Sequence, residues 1–433
     1  MRSPVLIFDG PARGAAASRS MRGPRGLPLS VACRAQTRSA VVSTHSALRR
    51  SKSCNGRSSV GRSFAIAMRY SSSLLVALAA VQDASRAARE LQESISASQA
   101  AYQKPDESGT GHGIISPVTA GDFTVQAIVL GRLAAAFPDD RFIAEESSKE
   151  LLAAGDATRD AVMAAVREHG SQVFGSDISD EEVLAAIDLG TTGVADGWSR
   201  TRRTWVLDPI DGTKGFLRGE QFAVALALLD GGRPVLGVLG CPSLGECGSL
   251  FYASEGGGAF CGPTHGAASE AFGSANAEAV AAASTPVRVG PEPLGSGLVR
   301  TEAVERSHSN HAMAERVASR LGCGGTPSIR MDGQCKYGLI SRGEAHIFTR
   351  LPRAGYVEWI WDHAAGSIIV QEAGGRVSDL EGRPLDFSRG AKLCESVRGI
   401  VASNGIVHEA LLDALAKERA QEAKGAGSVP PAA

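Results

Sequence analysis

The chain has 433 residues, 43% of them hydrophobic and 21% charged, which is room for a leader followed by two modest domains or one large layered domain with a real core. A formal net charge of −1 removes the positive field that a nucleic-acid binder needs, and 5% aromatic residues leave little for base-stacking platforms. The eight cysteines (Cys33, Cys54, Cys241, Cys247, Cys261, Cys323, Cys335 and Cys394) form no C-x-x-C pair and have no histidine cluster beside them, which speaks against a zinc site or a disulfide framework and for buried thiols.

Residues 1–82 hold a single acidic residue, Asp9, among recurring arginines and serines, the composition of an organelle transit peptide. Residues 1–70 are expected to be a disordered leader directed to the chloroplast, with the mitochondrion as alternative, and the mature protein to start near Tyr70. A basic tail that binds an anionic partner would share this composition. The apolar run 73–80 is too short to span a bilayer, and no membrane partner is expected. Leu74, Leu78, Val81, Ala84, Ala88, Leu91 and Ile95 keep helical spacing instead, so 73–102 reads as a helix. A polar, glycine-rich loop follows over 103–115.

A second helix is expected over 122–137, with Val125, Ile128, Val129, Leu133 and Phe137 on one face. Residues 139–144 read as a turn into a short strand, 149–187 as charged helix and 204–207 as a short apolar strand. The apolar runs 222–229 and 234–239, joined by Asp230-Gly231-Gly232, predict a hairpin, and 249–253 with 258–261 a second. Strands are expected at 287–289, 298–301 and 345–350, and helices at 312–321, 337–341 and 362–373, the last closed by Gly374-Gly375. Past Leu415 the chain turns to Ala, Gly, Lys and Pro without periodicity and reads as a disordered tail. Helices mixed with antiparallel strand pairs imply a layered α/β fold.

Three acidic segments carry the chemistry. In WVLDPIDGT (205–213) an apolar strand runs into Pro209, which has no N–H for a ladder and is expected to end it. Asp208 and Asp211 then sit on a tight turn, where two carboxylates aimed into one cavity would repel unless a hard divalent cation such as Mg²⁺ joined them. Gly212 and Thr213 offer N–H groups and a hydroxyl suited to a phosphate. FIAEES (142–147) is a strand ending in Glu145 and Glu146, which a helix N-terminus would also welcome. WDHAAG (361–366) opens an apolar helix with Asp362, a metal ligand or simply its cap. Together they favour a metal site for phosphate chemistry over three separate caps and turns.

These segments resemble the inositol monophosphatase / fructose-1,6-bisphosphatase superfamily, and the run 205–242 looks like its 3′(2′),5′-bisphosphate nucleotidases. SHSN (307–310), MDGQCKY (331–337) and RLP (350–352) fit the same pattern. The resemblance spans about residues 75–410. It implies a five-layer α-β-α-β-α sugar-phosphatase fold with mixed, largely antiparallel sheets. It divides the chain into a metal-binding part, 71–285, a part completing the substrate site, 286–418, and a tail, 419–433. Carried over residue by residue, it implies metal ligation by Glu145, Asp208, Asp211, Asp362 and the Ile210 carbonyl. Thr213 would orient the attacking water, and Gly212, Thr213, His308, Lys336, Arg350 and Asp362 would contact substrate. The implied reaction is Mg²⁺-dependent, Li⁺-sensitive removal of the 3′-phosphate of adenosine 3′,5′-bisphosphate by direct attack of water. The chain would act as a monomer or dimer on a small nucleotide.

The chain departs from the family at two places. The family reads K-x-D-x-S-P-V-T ahead of its second helix. Here SPVT (116–119) is intact, but Ile114 stands where the water-activating Asp belongs. Lys104-Pro105-Asp106 reads as the first half of that motif, displaced by an insertion of about 107–115, so Asp106 is the expected catalytic acid. Gly333 stands where relatives often carry Ser, which removes a hydrogen bond to substrate. The alternatives are an inositol phosphate phosphatase of the same superfamily and, on Ile114, a nucleotide-binding sensor impaired in catalysis.

Overall fold

The structure, a computed structural model, describes residues 70–94, 102–103, 117–175, 177–195, 202–274, 276–305, 310–353 and 355–426. Six of its helices carry the architecture: α1 (Ser71–Ser94), α2 (Ala120–Ala136), α3 (His311–Arg320), α4 (Cys335–Ser341), α5 (Ala364–Glu372) and α6 (His408–Ala426). A two-residue pair, β1 (Tyr102–Gln103) with β2 (Pro117–Val118), precedes α2. A seven-stranded sheet follows in chain order: β3 (Arg141–Ala144), β4 (Thr204–Asp211), β5 (Ala223–Asp230), β6 (Arg233–Cys241), β7 (Ser249–Ser254), β8 (Gly258–Gly262) and β9 (Thr285–Val287). Only its first pair, β3 with β4, is parallel. The second sheet contains β10 (Arg300–Glu302), β11 (Ile329–Arg330), β12 (Ile347–Arg350), β13 (Arg376–Asp379) and β14 (Ile400–Ser403), ordered β11-β10-β12-β14-β13.

Period-two alternation sorts the strands between two cores. Trp205, Leu207, Val224, Leu226 and Leu228 face α1 and α2, whose Leu78, Val81, Ile128 and Leu133 cover that side. Val206, Ala225, Ala227 and Leu229 face α4 and α5 on the other, along with Phe348, Ile400 and Ala402 of the second sheet. Ile347 and Val401 point away to Met313, Val317, Leu411 and Leu415 of α3 and α6. The layers therefore run α-β-α-β-α, as the resemblance implied. Gly231 and Gly232 adopt φ of 62° and 78°, the left-handed pair that a two-residue hairpin turn requires.

The differences from expectation have local causes. α1 is described to Ser94, and the rest of the expected helix, 95–101, lies outside the described residues. The charged stretch 149–187 is four helices (Ser148–Ala153, Asp156–His169, Ser171–Phe174 and Asp180–Asp188), broken at Gly155, Gly170 and Gly175, since glycine is a poor helix interior. β4 does not end at Pro209 but continues to Asp211 across a register shift. α6 runs on to Ala426, past Leu415 where a tail was expected, because Glu418 bonds Arg316 at 2.6 Å and Arg320 at 2.5 Å on α3. Tertiary ion pairs, not periodicity, hold that last stretch.

The seam between β6 and α5 is tight at Gly237, where a Cβ would lie 2.6 Å from Ile368 Cγ2 and 2.7 Å from the Ala365 carbonyl. Gly237→Ala is expected to cost about 1–3 kcal/mol by overpacking, read as a lowered Tm, with Gly273→Ala, where a Cβ would meet nothing within 4 Å, as control for folding quality.

Candidate active site

The site begins with strand register. Between Asp208, opposite Ala225, and Asp211, opposite Ala223, β4 advances three residues while β5 advances two. This is a β-bulge with one extra residue, and it absorbs Pro209, whose missing N–H then breaks no ladder bond. Three positions apart on a regular strand, the two carboxylates would face opposite sides of the sheet. The bulge returns Asp211 to the side of Asp208. Parallel pairing adds Glu145: Ala144 lies beside Leu207, so Glu145, leaving the end of β3, follows alongside Asp208 of β4.

Asp362 comes from the opposite layer, two residues ahead of α5. The N-cap position belongs to His363, which makes no side-chain cap bond, so Asp362 is not the cap of that helix. Gln334 pins this approach, donating to the Trp361 carbonyl at 2.8 Å and accepting from the Gly366 N–H at 3.0 Å. Carboxylate oxygens of Asp208, Asp211 and Asp362 lie within 4.8 Å of one another.

Burial and mutual repulsion dominate the electrostatics. The Asp208 carboxyl is pushed far above the carboxylate range by burial, then by Glu145, Asp211 and Asp362. Burial raises Asp211 to about 6, partly offset by Lys336, Arg350 and the Gln334 amide. Asp362 is likewise raised by burial, with Arg350 opposing. Asp208 Oδ1 is buried with no hydrogen-bond partner. Four carboxylates against two cations, one orphaned oxygen and an all-oxygen donor set fit a hard divalent metal. A second cluster, Glu358, Asp362 and His363, has the same spacing. Its Glu358 is already bonded to Arg350 Nε at 2.9 Å and to His363 Nε2 at 3.2 Å and needs no ion.

The remaining residues surround the trio. The Thr213 hydroxyl, one residue after the helix-capping Gly212, donates to the Ile210 carbonyl at 3.2 Å. Gly212 and Gly333 face each other so closely that a Cβ on Gly333 would sit 2.3 Å from the Asp211 carbonyl. With φ of 63° as well, position 333 is glycine for backbone reasons, and a serine there would force the two loops apart. Lys336 is buried, its ammonium donating to the carbonyls of Met331 at 3.1 Å and Gly333 at 2.5 Å. Arg350 Nη2 lies 3.9 Å from Asp362, and Tyr356 flanks the guanidinium at 6.0 Å. Asp106 and His308 lie outside the described residues. Sequence reasoning missed Glu358, His363, Gln334 and Tyr356; the one signal was a second acid four residues before Asp362.

The chain is similar to known proteins over most of its length. The profile of the inositol monophosphatase family matches residues 74–423. A protein of Candida albicans named 3′(2′),5′-bisphosphate nucleotidase 1 is 35% identical over 373 residues, covering 81% of this chain and 96% of its own. A 3′(2′),5′-bisphosphate nucleotidase of Oryza sativa is 38% identical, covering 80% and 94%. A solved inositol monophosphatase from Anabaena aligns with 79% of this chain and 95% of its own, at 20% identity and a TM-score of 0.49.

Because folding raises the Asp211 pKa above its unfolded value, the metal-free fold holds a proton between about pH 4 and 6 that the unfolded chain releases, and stability falls as pH rises through that window. Asp208→Asn relieves the repulsion. Thermal unfolding without metal should show a Tm higher by about 2–4 °C near pH 7, roughly 1 kcal/mol, and a smaller rise in Tm on adding Mg²⁺ than wild type shows.

Proposed function

Because the chain belongs to the inositol monophosphatase family, a family of phosphatases, we propose that it is a Mg²⁺-dependent 3′(2′),5′-bisphosphate nucleotidase. It converts adenosine 3′,5′-bisphosphate to AMP, with 3′-phosphoadenylyl sulfate as a second substrate. On the composition of residues 1–70, it acts in a chloroplast. The observation that carries the hydrolytic reading is the convergence of Asp208, buried and with one oxygen unpaired, with the half-buried Asp211 and Asp362. The nucleotide reading is supported by relatives of that name at 34–38% identity over about four-fifths of the chain.

Asp208, Asp211, Asp362 and Glu145 would hold the metal, which when bound supplies neutralising charge and a water of lowered pKa. The chain does the rest. Arg350 has Nε committed to Glu358, so its terminal Nη edge faces the site and can grip two phosphate oxygens. Lys336, bonded to the carbonyls beneath Gly333, holds that loop against Gly212 and adds positive field beneath Asp211. Thr213 and Asp106 orient the attacking water, and the Asp106 carboxylate takes up its proton. The acids are occupied as ligands, so phosphate passes directly to water: the bond from phosphorus to the 3′-oxygen breaks as that from the water oxygen forms.

The test is phosphate release from adenosine 3′,5′-bisphosphate and from inositol monophosphate by protein starting near Tyr70, with and without Mg²⁺ and Li⁺. The expected result is Mg²⁺-dependent, Li⁺-inhibited release that favours the nucleotide, reduced about a thousandfold or more by Asp211→Asn and about a hundredfold by Asp106→Asn. Preference for inositol phosphate would move the substrate within the family. Nucleotide binding without release would make the chain a sensor.

A further inference from the structure

Arg350 ends β12 with two carboxylates within reach. One, Glu358, accepts from its Nε at 2.9 Å; the other, Asp362, lies 3.9 Å from Nη2. Glu358 is fully buried, and its second oxygen meets His363 Nε2 at 3.2 Å. His363 Nδ1 in turn meets the Tyr337 hydroxyl at 2.9 Å, from the neighbouring helix α4. With Nε2–H donated to Glu358, Nδ1 is left to accept the Tyr337 proton, so the relay is complete with a neutral ring. The backbone of this segment is also tied down, since the Glu358 carbonyl accepts from the Leu393 N–H at 2.9 Å and Trp359 pairs with Lys392.

We propose that Glu358 is a positioning residue: it holds the Nε edge of Arg350, aims the Nη edge at the phosphate of the substrate, and keeps the guanidinium off Asp362. The inference rests on the phosphatase reading, because it concerns the group that Arg350 grips. Its physical basis is a competition. A buried guanidinium seeks the carboxylate nearest to it. Without the charge on Glu358, the next one is Asp362. Arg350 would then close onto a member of the acidic trio, and the phosphate would lose its two-point contact. The relay through His363 to Tyr337 explains why Glu358 does not move to meet its partner: the start of α5, α4 and the segment at Leu393 anchor it.

A double-substitution cycle tests this, using Glu358→Gln, Arg350→Met and both together. Two quantities are read: affinity for inorganic phosphate by calorimetry in Mg²⁺, which needs no turnover, and KM and kcat for adenosine 3′,5′-bisphosphate. Glu358→Gln is expected to weaken phosphate binding and raise KM about tenfold or more, as loss of a charge-assisted bond would, with a smaller change in kcat. In the Arg350→Met background it should change phosphate affinity less than twofold. If Glu358→Gln does not fold alone, the comparison of Arg350→Met with the double substitution carries the test, since neither holds a guanidinium that could close onto Asp362. Phosphate affinity within twofold of wild type in Glu358→Gln, or a further tenfold loss in the double substitution, would overturn the proposal. A wild-type chain that binds phosphate but releases none from the bisphosphate would overturn the proposed function while leaving the cycle readable.

Discussion

Between Asp208 and Asp211 strand β4 advances three residues while β5 advances two, and that mismatch sets the face on which both carboxylates emerge. Much of the site follows from it. The parallel register of β3 places Glu145 alongside, and α5 can bring Asp362 from the opposite layer only because both strand carboxylates already point that way. Without the extra residue, Asp211 would face α1 and α2 among Leu207, Val224 and Ile128, where no cation could balance it.

The cluster opposes folding. Burial and mutual repulsion raise Asp208, Asp211 and Asp362 together, and the surrounding structure must hold them there. Two devices do so. Gln334 locks the Asp362 segment to α4, and the Gly212–Gly333 contact brings the loops together at a distance that no side chain allows. Arg350 and Lys336 soften the repulsion without cancelling it, which leaves room for a dication. A site that is strained alone and relaxed when loaded is a common arrangement at functional centres.

Much of this was legible in the chain before its structure. The hairpin at Asp230-Gly231-Gly232, the two opening helices and the three acidic segments follow from periodicity and turn chemistry. What stayed hidden depends on register or on distant partners. Pro209 reads locally as a stop, and only its pairing with β5 reveals a bulge. Glu358 sits among Val357 and Trp359, marked only as a second acid four residues before Asp362, since its partners Arg350 and His363 meet it only through the fold. The stretch after Leu415 lacks periodicity because Glu418 is held by arginines about a hundred residues earlier, separations of 102 and 98 positions. Gly333 looked like a lost contact from sequence and is a packing requirement in the structure.

The central claim is that a bulge in β4 gathers Asp208, Asp211 and Asp362 around a divalent metal. Crystals grown with Mn²⁺ and measured on both sides of its absorption edge test it most directly, because the change in anomalous signal across the edge marks the ion. The account predicts a peak within coordination distance of Asp208, Asp211 and Asp362, absent in crystals of Asp211→Asn. A peak bound only elsewhere, or an active enzyme whose trio binds no ion, would contradict it.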